Sequence, residues 1–132
     1  MEILEKLEIE PIRESLFVRA FTHTSYANEH KTVSYERLEY LGDAVLEFIM
    51  SEYLYKNTEK SEGEMTKLRA HYVCENALYE YAIRLGLNDY ILLGKGELDS
   101  GGRNRKAIVA DVFESFIAAL FLDQGIETVK KF

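Results

Sequence analysis

Apolar residues along this chain recur mostly at intervals of three and four, a spacing that gathers them on one helix face rather than on alternate faces of a strand. Residues 3–9 alternate Leu and Ile with charge in a short helical pattern that Pro11 breaks, and the pattern resumes over 14–21 with Leu16, Phe17 and Ala20 on one side. The run of His, Thr, Ser and Asn at 22–32 reads as a loop, after which Ser34 is placed to cap a long helix from about Tyr35 to Tyr55. A break at 57–61 leads into a helix starting near Ser61, where Glu64 stands three residues after a capping hydroxyl. Another begins near Glu75, carries Leu78, Tyr81, Ala82 and Leu85 at helical spacing, and ends at Gly86, a residue suited to a left-handed C-terminal cap. Gly94, Gly96, Gly101 and Gly102 make 93–105 read as a long exposed loop. Residues 106–122 then form the most apolar helix, with Val109, Val112, Phe113, Phe116, Ile117 and Leu120 as a wide core-facing stripe. Lys130, Lys131 and Phe132 read as the interior of a further helix, so the sequence is expected to be a piece of a longer chain.

Composition agrees with this pattern. With 132 residues, 47% of them hydrophobic and only one proline, the chain is expected to form one all-α domain over 1–132, a helical bundle with a single core. The only cysteine, Cys74, lies among helix formers and reads as a small apolar filler, and no internal disulfide is possible. The N-terminus lacks a basic leader region and no apolar run is long enough to span a bilayer, so the expected setting is the cytoplasm, with no membrane partner. A net charge of -7 has the wrong sign for gripping nucleic acid through a bulk basic surface. Carboxylates that hold divalent cations would reverse the local field, so the distribution of acids matters more than their sum.

Two acidic pairs stand out in that distribution. Glu39 and Asp43, four residues apart, leave the same face of the long helix one turn from each other, and like charges at that spacing repel. Asp111 and Glu114 interrupt the most apolar helix among Val109, Ala110, Val112, Phe113, Phe116 and Ile117, where an acid at the edge of a core needs a compensating partner. Oxygen donors from two packed helices suit Mg²⁺ or Mn²⁺ better than zinc, and neither His nor Cys clusters nearby. The plainer reading makes these acids solvated helix faces, or ion-pair partners of Arg37, Arg69 and Lys106. Gly42 weighs against it, because a glycine inside a helix costs about 1 kcal/mol relative to alanine and needs a reason such as close backbone packing. Beside it, Tyr40 and Leu41 suggest tight packing against another surface, a second copy of the chain among the candidates.

The decapeptide Glu36-Arg37-Leu38-Glu39-Tyr40-Leu41-Gly42-Asp43-Ala44-Val45 closely resembles the signature motif of the ribonuclease III family. The resemblance extends through 22–26, 61–70, 93–97, 100–103 and 110–114, and so covers essentially the whole chain. It implies an all-helical endonuclease-domain fold that forms a homodimer around a valley for double-stranded RNA. On matching positions it implies that Glu39, Asp43, Asp111 and Glu114 ligate Mg²⁺, with Mn²⁺ able to substitute, and that Glu36 and Glu62 are supporting acids. Tyr40 falls where the family places an aromatic knob that enters the partner subunit, and Gly42 is assigned with it to the dimer seam. The implied reaction is hydrolysis of RNA phosphodiesters to 5′-phosphate and 3′-hydroxyl ends, in rRNA and mRNA processing. Tyr35 stands where the family commonly has asparagine, Thr24 where a basic residue is frequent, and Ala107 where serine is common; none of these removes an implied ligand.

The family's double-stranded-RNA-binding domain does not lie within these residues. The local candidates for RNA contact are Arg103, Arg105 and Lys106, which the glycine-rich lead-in would carry as a flexible arm. Two rival readings remain beside the endonuclease. One is a non-catalytic RNA-associated dimeric module; the other is an all-α, Mg²⁺-dependent nucleotide pyrophosphohydrolase in which Glu36-x-x-Glu39 opens the acidic motif.

Overall fold

The structure, a computed structural model, describes residues 1–132. Nine helices follow one another: α1 Glu2–Lys6, α2 Glu14–Ala20, α3 Thr24–His30, α4 Glu36–Asn57, α5 Glu62–Tyr72, α6 Glu75–Leu85, α7 Lys95–Asp99, α8 Lys106–Gln124 and α9 Ile126–Lys131. Single 3₁₀ turns occupy Leu87–Tyr90 and Gly102–Asn104, and there is no β-strand, as the periodicity predicts. No helix is long and apolar enough to cross a membrane.

α8 is the axle of the fold. A helix apolar on every side must be buried on every side, and α2, α4, α6 and α9 all pack on this one. Phe116 gathers Phe17, Phe21 and Phe132 around it at ring-centroid distances of 5.7, 5.9 and 5.5 Å. Two polar residues of α8 fasten the chain to it. The buried Ser115 hydroxyl donates to the Ala20 carbonyl at 2.6 Å. Asp123, also buried, accepts from the backbone N–H groups of Ile12 and Arg13 at 2.9 and 2.8 Å, which ties the segment after Pro11 to the far end of α8.

Several local signals act as expected. Ser61 and Glu64 form a reciprocal capping box at the start of α5, and Gly86 closes α6 in the left-handed conformation at φ 77°. The cap of α4 is shared. Tyr35 occupies the capping position itself, while the Ser34 hydroxyl accepts from Glu36 N–H at 3.3 Å.

Three expectations are corrected. The 22–32 segment is not a loop: His23 Nδ1 accepts from Ser25 N–H at 3.1 Å and starts α3, which ends at a left-handed Lys31. Reading imidazole only as a loop residue concealed its capping capacity. Nor is 93–105 a long exposed loop. Leu93 and Gly102 are buried, α7 and a 3₁₀ turn order the segment, and a Cβ at Gly94 would run into the Ser25 carbonyl. Finally, Cys74 is exposed at the N-terminal end of α6 rather than filling the core.

Gly42 also receives a different role. It is buried, and a Cβ built on it would overlap the backbone carbonyl of Glu114. Its close packing is therefore against α8 of the same chain, not across a dimer seam. Gly42→Ala is expected to force α4 off α8 and cost about 1–3 kcal/mol in urea unfolding; parent-like stability would contradict the close approach.

Candidate metal centre

The Gly42 contact determines what stands beside it. One residue further along α4 is Asp43, one turn earlier is Glu39, and the carbonyl that Gly42 faces belongs to Glu114. At this crossing the acids face one another in pairs, Glu39 acting most strongly of the acids on Asp111 and Asp43 on Glu114. Ligand oxygens of Glu39, Asp111 and Glu114 all lie within 4.8 Å of one another. Together with Glu36 and Tyr40, the residues Glu39, Asp43 and Glu114 line an open depression of about 400 Å³.

None of the four acids takes part in an ion pair with Lys or Arg. The ion pairs that the plainer reading offered are therefore not formed: Arg69 instead donates to the Ser51 hydroxyl at 2.9 Å, and the Lys106 ammonium lies over the Tyr79 ring at 5.7 Å. Half-buried carboxyls without cationic partners resist ionising. Glu114 is pushed up to about 9, first by burial and then by its contact with Asp43. Asp111 is raised by burial and by Glu39, with Glu75 of α6 adding repulsion. Carboxyls that hold protons because burial and neighbouring acids disfavour their charged forms are well suited to exchange them for a divalent cation, and all the donors are oxygen.

The remaining candidates divide. Glu36 is at the rim of the acid depression, where the hydroxyls of Thr24 and Ser34 donate to its Oε1 at 3.0 and 3.2 Å. Glu62 is not brought to the cluster; it lines a separate depression with Ser51, Leu54, Met65, Thr66 and Arg69. The flexible arm is corrected as well. Arg103 donates to the carbonyls of Asn88, Asp89 and Ile91 at 3.3, 3.0 and 3.0 Å, and Arg105 is paired with Glu97. Both guanidinium groups brace the ordered 87–105 region. Tyr40, by contrast, is 83% exposed. Glu75 was legible only as the start of a helix, because its proximity to Asp111 arises across the packing of α6 on α8.

A cluster of carboxylates on two crossing helices, set in an all-α scaffold, is an arrangement able to hold a divalent cation. Residues 13–132 match the Ribonuclease-III-like family model. The chain is 54% identical over 135 residues to Ribonuclease 3 of Halalkalibacterium halodurans, covering 99% of this chain and 51% of that protein. With Ribonuclease 3 of Bacillus cereus (strain G9842) the identity is 54% over 132 residues, covering 97% and 54%. The chain thus spans about half the length of the curated relatives it matches. Two solved structures of the ribonuclease III nuclease domain from Campylobacter jejuni superpose with TM-scores of 0.91 and 0.89 at 37% and 36% identity, over 98% of this chain and 90% and 87% of theirs. The first is described as flexible in a region involved in dimer formation. The chain belongs to the ribonuclease-III-like family, whose members are metal-dependent.

The raised carboxyl has a consequence for stability. Folded Glu114 keeps a proton up to about 9 that an unfolded glutamate releases near 4.5, so the native state binds more protons throughout that window. The stabilisation is complete below the lower value and is lost as pH rises through the upper one. Metal-free melting temperature is therefore expected to fall from pH 5 to pH 9, while the increment produced by Mg²⁺ grows over the same range. Differential scanning calorimetry at several pH values checks both trends, and Glu114→Gln should flatten them.

Proposed function

We propose that this chain is the catalytic part of a metal-dependent endoribonuclease that hydrolyses double-stranded RNA to 5′-phosphate and 3′-hydroxyl ends, in the processing of rRNA and mRNA in the cytoplasm. The observation that carries this reading is the meeting of Glu39 with Asp111 and Asp43 with Glu114 in a chain of this family. These four carboxylates would hold Mg²⁺, with Mn²⁺ able to substitute, since oxygen-only donors suit hard cations. A bound cation supplies an acidified water and positive charge for the phosphate and the departing 3′ oxygen.

The protein's own part is to place the charge. Asp111 and Glu114 give up their protons as the cation enters, and the backbone contact at Gly42 keeps the two acid pairs in register. Glu36, held by two hydroxyls, sets the rim of the depression. With Arg103 and Arg105 braced internally, Lys106 is the remaining one of the three basic candidates for phosphate contact. Duplex RNA is then read by shape and backbone rather than by base sequence.

The active form we propose is a homodimer. Tyr40 projects beside a depression lined by Arg19, Glu36, Arg37, Leu38, Leu41 and Leu122, and next to it Phe48 and its neighbours on α4, α8 and α9 form an entirely apolar hollow. A knob and a socket on one patch are self-complementary under two-fold symmetry. A nucleotide pyrophosphohydrolase would leave the Asp111–Glu114 half of the cluster without a purpose, and a non-catalytic module would have no need of unpaired, proton-holding acids.

Incubation with a perfect RNA duplex and Mg²⁺ is expected to give discrete cleavage, and nucleoside triphosphates are expected to survive. Triphosphate hydrolysis without RNA cutting would overturn the reading. Glu114→Gln and Asp43→Asn should each slow cleavage by about 100-fold or more, the order lost when a charge-stabilising group leaves a reacting centre, with the dimer intact by analytical ultracentrifugation. Tyr40→Ala should weaken the dimer by about 2 kcal/mol, roughly thirtyfold in Kd. A parent protein monomeric at every concentration would refute the knob.

A further inference from the structure

An ionisable side chain, His23, occupies a joint of the fold away from the acid centre. Its backbone N–H donates to the Leu92 carbonyl at 3.1 Å, and Leu92 N–H donates back to the Phe21 carbonyl at 2.8 Å. The half-buried ring stands edge-on to Tyr35 at a centroid distance of 5.8 Å and caps α3. Serine, threonine, asparagine and aspartate usually take such a position. Imidazole in their place changes its charge within reach of neutral pH.

The hydrogen bonds around the ring dictate its protonation state. Ser25 N–H donates to Nδ1 at 3.1 Å, which requires a lone pair there. The Ser25 hydroxyl lies 2.8 Å from the same nitrogen, and its oxygen accepts from Gly94 N–H at 2.8 Å, so its own proton goes to Nδ1. Neutral His23 is therefore the tautomer with its proton on Nε2, at the end of a relay from Gly94 through Ser25. Beside the relay, Glu29 accepts from Lys95 N–H at 2.7 Å. In this way α3 takes up the N–H groups of the cap residue and the first residue of α7, and a Cβ at Gly94 would strike the Ser25 carbonyl.

A proton on Nδ1 breaks this pattern. Ser25 N–H would face a second N–H, and the hydroxyl would have to turn over. Burial is the largest influence on the ring and holds it below its ordinary value of 6.5; Glu97 of α7 and Glu36 of α4 favour the charged form, and Arg105, ahead of α8, opposes it. Each neighbouring acid is already engaged: Glu97 by Arg105, Glu29 by Lys95 N–H, and Glu36 by the hydroxyls of Thr24 and Ser34. Tyr35, the ring in contact, is pushed up by burial and stays neutral.

We propose that His23 is a pH-sensitive clasp: neutral, its Nδ1 caps α3 and through Ser25 ties that helix to Gly94; protonated, it lets the first turn of α3 part from the start of α7. Thr24, the first residue of α3, donates to Glu36 at the rim of the acid depression, so the opening extends to that rim. The clasp does not depend on what the acid centre binds. With the folded value depressed, it is complete above the unfolded value of 6.5 and is lost as pH falls through the folded one. Glu114 acts on global stability in the opposite sense, so the effect is read locally.

Amide hydrogen exchange of the whole metal-free chain is followed by NMR from pH 7 to pH 4.5 and corrected for the intrinsic pH dependence of exchange. Protection at Ser25 and Gly94 is expected to fall about fivefold or more, the weight of a lost helix cap, while amides within α8 hold theirs. His23→Asn offers a carbonyl oxygen in place of Nδ1 and cannot titrate, so both amides should stay protected throughout. Ring ¹⁵N shifts of the parent at pH 7 should report the proton on Nε2. Protection independent of pH at either amide, a ring protonated on Nδ1 at pH 7, or the same acid-induced loss in His23→Asn would each overturn the inference. The first two readings use the parent alone and decide the matter even where His23→Asn folds poorly.

Discussion

The contact on which the rest depends is the backbone-to-backbone approach of α4 and α8 at Gly42. With no Cβ at that point, the Glu114 carbonyl occupies space that any other residue would fill. Helices normally pack at a distance set by their side chains, and at that distance the acid pairs would face each other across a wider gap. The missing side chain brings Glu39 and Asp43 against Asp111 and Glu114, and the penalty of a glycine within a helix is recovered in the geometry of the site.

Crowding four carboxylates costs stability, and the scaffold is built to withstand it. α8 is buried on nearly every face, with an aromatic cluster around Phe116 and two polar fasteners at Ser115 and Asp123. A helix held this firmly cannot shift to separate Asp111 and Glu114 from their counterparts. Burial first, and the neighbouring acids after it, favour the protonated form of Glu114, so the repulsion is relieved by a proton rather than by a lysine or arginine. The acids are left without cationic partners, an arrangement that suits the cation proposed for this site.

Charge elsewhere follows a related logic. The chain is acidic overall, and Arg103 and Arg105 serve to order a glycine-rich region, not to provide a free basic surface. Under the proposed function, field reversal by bound cations would be the main means by which a phosphate is drawn to this face. The exposed aromatic Tyr40 stands at the edge of the same depression, so any partner that covers it also builds a wall of the acid centre.

The all-α class, the long helix with Glu39 and Asp43, the apolar helix with Asp111 and Glu114, the capping box at Ser61 and the terminating Gly86 were all legible in the chain. Each is a matter of residues within a few positions of one another, where helical periodicity and capping chemistry act locally. The motif around Gly42 signalled close packing, but its partner could not be read from one strand of text. That the glycine meets Glu114 of the same chain, that Glu62 lies apart from the acids, and that Arg103 and Arg105 brace rather than swing are properties of contacts between segments that the sequence does not place together. Local spacing determined which faces carry acid and which carry apolar side chains; only the packing of α4, α6 and α8 decided which of those faces meet, because burial and backbone approach are set by all the helices together.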